Sequence, residues 1–273
     1  MRHGCRLPWM YERFAAVYDR LMGDVPYARY AEVWRALLAA SGVSADRVLD
    51  IGCGTGSMFG PLLERARLVI GVDSSEAMLA QASVKARAYG QRVQLLQGQV
   101  QTLRSPVPVD GCVAICDVLN YVESVEELEQ SFRAIAGCLQ VGGWLFFDVH
   151  SPRKVAVELG DNLFCDVRDD EIAIMKTSAG VNDASVTYEL VLMIKEDSGR
   201  YERFDELHVQ RAFSLTEITD GLRKAGFRHV EVGVDFTLSW TGGHSFGMND
   251  WSLRVPDEEE MAQASRWFFF ATR

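Results

Sequence analysis

"RVLDIGCGTGSMFGPLL", Arg47 to Leu63, places Gly52, Gly54 and Gly56 at alternate positions directly behind a short apolar run that holds an aspartate, Asp50. Glycine weakens strands and helices alike, so three of them where a strand becomes a helix need a cause outside local propensity. The cause that fits is a ligand lying against bare backbone. Around this turn, between Arg47 and Val149, short apolar runs alternate with helical stretches: "RVLDI", "LVIGV", "VQLLQ", "GCVAIC" and "WLFFDV". That alternation is the sequence form of a doubly wound, mostly parallel α/β sheet with strands covered on both faces.

Helix signals punctuate the alternation. Ser74 or Ser75 can cap a helix running to about Ala88, and Ser124 with Glu127 forms a capping box for the next, whose Leu128, Phe132, Ile135 and Leu139 share one apolar face. From Leu163 to Phe213 the texture becomes β-rich, in three runs separated by "SAGVND" and "EDSGR", which predicts an inserted antiparallel β meander. "SLTEITDGLRKAGF" restores a helix with a second capping box, Ser214 and Glu217, and Gly226 as its stop; "HVEVGVDF" and "RWFFFATR" then return to the sheet. The division expected is a helical lid over 1–46, an α/β domain over 47–162 and 214–273, and the β subdomain over 163–213.

Composition narrows the function. With 273 residues, 48% of them apolar, the chain can bury one sizeable core. A net charge of −10 and no long basic cluster disfavour nucleic acid as a partner. The N-terminus has no apolar run typical of a signal peptide and no window is long enough for a membrane span. The six cysteines make no C-x-x-C pair and have no histidine partners at zinc spacing, so no metal is expected and a reducing cytoplasm fits.

An adenosine ligand needs close backbone approach, a helix N-terminus and an acid at the end of the second strand for the ribose hydroxyls; Asp73 closes "LVIGVD" at the expected distance. A dinucleotide turn would want Gly or Ala where Ser57 stands, and Asp50 beside the glycines suits a ligand carrying an ammonium or sulfonium better than a pyrophosphate. No P-loop lysine follows the glycines. Three readings stand: an enzyme that uses a cationic adenosine ligand, a regulatory protein that binds such a ligand without turnover, and a dinucleotide-dependent oxidoreductase.

"VLDIGCGTG" followed by "GVDSSEAML" resembles the first two motifs of the class I S-adenosylmethionine-dependent methyltransferases. "YERFAAVYDRLMGDVPYARYAEVW", "ICDVLNYV", "GGWLFFDVHSP" and "LTEITDGLRKAGF" extend the likeness over nearly the whole chain, to the YqeM-like bacterial subgroup. The resemblance implies a seven-stranded Rossmann-like sheet, with the meander before its sixth strand and S-adenosylmethionine across the carboxyl ends of the first strands. It implies that Asp50, Gly52, Cys53 and Gly54 lie along the methionine moiety, with Gly56 completing the turn. Asp73, with Ser74 beside it, would hold the ribose, and Met78 would touch the adenine. Gln99 stands where the family usually has an acid for the adenine amino group, with Val100 next to it, and Val141 replaces a common proline. Asp117 and Asn120 would lie beside the methionine end.

His150, ending the fifth strand, is the candidate base, because imidazole takes a proton near neutrality. Tyr11, Phe14 and Tyr18 share a helical face that can cover the cofactor, Tyr18 offering its ring or hydroxyl. The substrate expected is a small-molecule acceptor with an N or O nucleophile, handled by a monomer or homodimer, in a pocket shared by the lid, the meander and "SWTGGHSFGMNDW".

Overall fold

The computed structural model describes residues 25–180, 184–236 and 252–273, together with residues 15, 18–20, 22 and 23. Tyr11 and Phe14 of the expected aromatic face, and the segment Ser239–Trp251, lie outside the described residues. The strands are β1 (Arg47–Ile51), β2 (Leu68–Asp73), β3 (Val93–Gln97), β4 (Val109–Ala114), β5 (Leu139–His150), β6 (Leu163–Val167), β7 (Glu171–Ala179), β8 (Ser185–Lys195), β9 (Tyr201–Arg211), β10 (His229–Val234), β11 (Ser252–Arg254) and β12 (Arg266–Thr272). The helices are α1 (Tyr27–Ser41), α2 (Phe59–Leu63), α3 (Glu76–Ala86), α4 (Val125–Cys138), α5 (Leu215–Lys224) and α6 (Glu258–Gln263).

The main sheet runs β11-β10-β12-β5-β4-β1-β2-β3. β1 to β5 are parallel, whereas β12 is antiparallel to both β5 and β10. It is the expected sheet with one three-residue edge strand, β11, added beside β10. The strand order reverses between β1 and β4, so the carboxyl ends of those two strands open the crevice where α/β sheets bind ligands.

Alternation along β5 and β12 sorts the core into two layers. Trp144, Phe146, Phe268 and Phe270 face Tyr30, Trp34 and Leu37 of α1. Phe147, Val149 and Phe269 face Phe132 and Ile135 of α4 and Ile218 and Leu222 of α5. Phe147 and Phe269 are register partners whose rings stack at 4.7 Å. Each such fully buried side chain contributes about 1.5–3 kcal/mol of transfer free energy.

Local signals fall close to expectation. Ser75 caps α3, accepting from Met78 N, and Ser214 with Glu217 makes a complete capping box for α5. Ser124 accepts from Glu127 N, but the Glu127 carboxylate turns to Glu123 N and Gln101, so that box is half made. Leu139 leaves the helical face and opens β5. The helix that follows the glycine turn is only the five residues of α2, because β2 already begins at Leu68.

The meander is a separate antiparallel sheet, β6-β7-β8-β9. It has four strands where three runs were expected: "FCDVRDDEIAIMK" folds back on itself at Arg168–Asp170, a charged turn closed by Arg168 N donating to Glu171 O at 2.8 Å. Its inner face packs Val186 and Tyr188 against Val155 and Leu159, and Leu192 against Ala15 and Met78.

Candidate active site

At the end of β1 the backbone turns left-handed at Gly52 (φ 67°) and Gly54 (φ 53°). A Cβ on Gly52 would stand 2.4 Å from Val118 Cγ2, so this turn is pressed against the loop that follows β4. Gly54 differs: a Cβ there would meet nothing within 4 Å among the described residues, which leaves that side of its backbone open to a ligand. Gly56 closes the turn by donating to Cys53 O at 2.8 Å. Cys53 donates its N–H to Val72 O, while its side chain is buried in the core, where desolvation pushes the thiol up; it serves the turn through its backbone.

Asp73, at the end of β2, holds this turn. Its Oδ2 accepts from Gly54 N at 2.8 Å and its Oδ1 from Ser75 N at 2.9 Å. Asp50 is 2% exposed and its Oδ2 is buried without a hydrogen-bond partner among the described residues. Burial, and then the charge of Asp73, push the Asp50 carboxyl up to about 7. An unsatisfied buried carboxylate oxygen beside an open glycine turn marks a place where a donor or cation belongs.

The other predicted cofactor residues spread along the rim. Ser74 and Gln99 are exposed, Gln99 opening a one-turn helix at Val100–Thr102, and Val100 packs half-buried against the sheet core. Met78 is buried under Ala15 and Leu192, with Tyr18 against the same cluster.

A second cluster forms where β4 and β5 end. Cys116 and Asp117 are non-glycine residues with φ of 62° and 53°, a conformation costing roughly 1–2 kcal/mol per residue. Asp148 of β5 imposes it, accepting from Cys116 N at 2.7 Å and Asp117 N at 3.4 Å. Asp148 also accepts from Tyr30 OH at 3.1 Å and from Arg266 Nη1. The Arg266 Nη2 lies 3.0 Å from Asp117 Oδ1 and 2.9 Å from His150 Nε2. Gln210 Nε2 donates to Asp117 Oδ2 at 2.7 Å, and Tyr188 OH to Gln210 Oε1 at 2.7 Å.

Electrostatics follow from this packing. Burial pushes the Asp117 carboxyl up, but His150, Arg266 and Gln210 together outweigh it and hold it well below the usual range. Asp148, fully buried, is pushed up by desolvation despite Arg266. His150 Nε2 faces both Arg266 and Asp117, at 2.9 and 3.2 Å, while its Nδ1 is buried with no partner. Asn120 is engaged at both ends of its amide, accepting from His150 N and donating to Arg211 O, so it clasps β5 to β9.

A short N-terminal segment closes over both clusters. Asp19 accepts from Thr55 Oγ1 and pairs with Lys85 Nζ at 2.7 Å; Lys85 also donates to Thr55 Oγ1 at 3.0 Å and Ser57 Oγ at 3.3 Å. Burial, with the charges of Asp117 and Asp73 close by, pushes the Tyr18 phenol up, and Tyr18 is hydrogen-bonded to Tyr27. Arg20 pairs with Glu171, and Arg168 donates to Arg20 O, so the same segment grips the meander.

Arg266, Asp148, Tyr30 and Gln210 were not singled out in the sequence. One signal was available: an arginine opening "RWFFFATR", an otherwise apolar strand, has to find a buried acid.

A methyltransferase domain family matches residues 48–143. A relative from Geobacillus sp. (strain WCH70) named "Putative methyltransferase GWCH70_2453" is 37% identical over 83% of this chain and 92% of its own length. The Bacillus subtilis (strain 168) protein named "Putative methyltransferase YqeM" is 33% identical over 97% of both chains. The chain belongs to the YqeM-like S-adenosylmethionine-dependent methyltransferases. The oxidoreductase reading is thereby set aside. A methyltransferase structure from Clostridium acetobutylicum ATCC 824 shares the fold, with a TM-score of 0.79 at 23% identity over 96% of this chain and 98% of its own. The sugar N-methyltransferase KedS8 from Streptoalloteichus sp ATCC 53650 shares it with a TM-score of 0.72 at 21% identity, over 100% and 96%. The YqeM-like site fits the cofactor: open backbone at Gly54, an acid at the end of β2, and an unpartnered Asp50 oxygen where a cationic ligand gains most.

Proposed function

We propose that the enzyme methylates an N or O nucleophile of a small molecule held between the ends of β4 and β5 and the inner face of the meander. The observation that carries this reading is the placement of two polar clusters, Asp50 with Asp73 and Asp117 with His150, under one N-terminal segment whose Tyr18 feels the charge of both Asp73 and Asp117. S-adenosylmethionine supplies a methyl group on a cationic sulfur, so no further activation of the donor is required. In this reading Asp73 accepts from the ribose hydroxyls while keeping its bonds to Gly54 and Ser75. Asp50 faces the positive methionine end, Met78 borders the adenine, and Gln99 offers a neutral acceptor to it.

Catalysis is then alignment and exclusion of water. Residues 1–46 act as the lid, 47–162 with 214–273 as the cofactor domain, and 163–213 as the wall of the acceptor site. For an oxygen nucleophile, His150 Nδ1 is the atom free to take a proton, and Tyr18 orients the acceptor. Sugar methyltransferases of the same fold, KedS8 and the amino pentose methyltransferase CalS10, support a small-molecule acceptor. No helix among the described residues is long and apolar enough to cross a membrane; the location proposed is the cytoplasm and the working form a monomer or homodimer.

Calorimetry with S-adenosylmethionine and S-adenosylhomocysteine, followed by turnover against acceptor panels, tests the reading. Saturation at about 100 times the dissociation constant should add about 2.7 kcal/mol of stability. No binding at millimolar ligand would reject it.

A further inference from the structure

The inner face of β9 carries a second polar strip that the cofactor does not use. Glu206, His208 and Gln210 alternate along the strand and therefore share a face, opposite Leu190, Tyr188 and Val186 of β8. Gln210 reaches Asp117. The His208 ring meets the Tyr121 ring edge-on at 5.9 Å, and Tyr121 belongs to the turn that follows Asp117. The strip thus begins at the end of β4 and runs about 13 Å along the meander, at 3.2–3.4 Å per residue.

Glu206 is the informative member. It is 5% exposed, its Oε2 lies 2.8 Å from His208 Nε2, and its Oε1 is buried with no partner. Other buried acids here are matched: Glu171 by Arg20, and Asp117 and Asp148 by Arg266. Among the described residues, only Asp50 and Glu206 keep a buried carboxylate oxygen with neither a hydrogen-bond donor nor an arginine or lysine against it. Asp50 belongs to the cofactor turn. A buried carboxylate left in this way is costly unless a donor of opposite charge joins it. A neutral hydroxyl would fill one lone pair and leave the charge unmatched, whereas an ammonium supplies both the donor and the charge.

We infer that Glu206, supported by His208, is an ammonium-recognition subsite for the methyl acceptor, so that the acceptor class is small molecules carrying a protonated amine. This rests on the acceptor lying between the sheet ends and the meander. The ammonium held by Glu206 need not be the atom methylated, because the reacting atom sits toward Asp117 at the other end of the strip. An acceptor reaching both ends is elongated, with its amine distal to the nucleophile.

The test uses amines and their hydroxyl counterparts: tyramine with tyrosol, glucosamine with glucose, and 1,5-diaminopentane with 1,5-pentanediol. Each is titrated by calorimetry into the full-length protein, with and without saturating S-adenosylhomocysteine. At least one amine should bind about tenfold or more tightly than its hydroxyl partner, and Glu206→Gln should remove that preference while S-adenosylhomocysteine affinity stays within about twofold. Equal binding within every pair, absence of binding by all six compounds, or a preference that survives in Glu206→Gln overturns the inference. Should the variant fail to fold, the wild-type pairs alone decide. Failure to bind S-adenosylhomocysteine would sink the proposed function separately, while the titrations without it still decide the role of Glu206.

Discussion

Asp73 accepts the backbone N–H of Gly54 at 2.8 Å, so the residue proposed to bind ribose also fastens the turn proposed to hold the rest of the cofactor. The N-cap of α3 is Ser75, not Asp73, yet Asp73 orders that cap as well through Ser75 N.

Asp73→Ala should therefore weaken both properties. Losing a charged acceptor costs roughly 1.5–3 kcal/mol per bond, so cofactor affinity should fall by tens- to a thousandfold and the unfolding midpoint should drop too. Asp73→Asn keeps the shape and should lie between. Paired titration and urea unfolding check this; unchanged affinity with lowered stability would reject the ribose role.

Gly54→Ala separates space from strain. The left-handed φ should cost about 1–2 kcal/mol of stability, with no steric clash among the described residues. Cofactor affinity should fall much further, by about a hundredfold, if the open side of Gly54 is the cofactor's place. A variant that binds normally would move the cofactor elsewhere.

Asp50 predicts a pH dependence. Its folded carboxyl, pushed up to about 7, binds a proton more tightly than the unfolded chain does, so its contribution to stability is present below the unfolded value and lost as pH rises through about 7. Over that window the loss is roughly 4 kcal/mol for the ligand-free protein. A cationic ligand favours the ionised form, so S-adenosylmethionine affinity should rise from pH 5.5 to 8 with proton release. Calorimetry in buffers of different ionisation heat measures the released proton, and Asp50→Asn should abolish it.

Arg266→Leu should destabilise by about 3–5 kcal/mol, since Asp117 and Asp148 are then left buried without their counter-charge. Asp148 already has a raised carboxyl and would protonate more readily, so the deficit should be smaller at pH 5 than at pH 8. Arg266→Lys should rescue little, because one ammonium cannot span the three partners the guanidinium touches. Thermal unfolding at the two pH values decides.

The segment over the glycine turn is a softer attachment. Lys85 and Asp19 are about a third and a half exposed, so Lys85→Met should change stability by less than about 1 kcal/mol. Its effect should instead be a faster cofactor off-rate by stopped-flow fluorescence, increasing with salt in the wild type.

What the sequence showed plainly was whatever is local: the glycines after β1, the acid closing β2, Ser214 three residues before Glu217. The hub at Arg266 was hidden because it joins residues 118 apart, through the antiparallel register that sets Arg266 beside His150. Asp148 reads as one more residue of an apolar strand until Cys116 and Asp117 are seen turning left-handed against it. The fourth meander strand was missed for a different reason: "RDD" inside a β-rich run looks like an exposed edge, not a reversal.

The place of β12 between β5 and β10 has a consequence for synthesis. As the ribosome delivers the chain, β10 emerges before either of its neighbours, with both edges unpaired, and it can join the sheet only through residues 266–272. The same late strand brings Arg266, so until it docks, the acids at the ends of β4 and β5 face each other without their cation. Newly made chains stalled before Arg266 should thus hold a formed glycine turn beside an unfinished Asp117 and Asp148 cluster, the species most in need of chaperone protection.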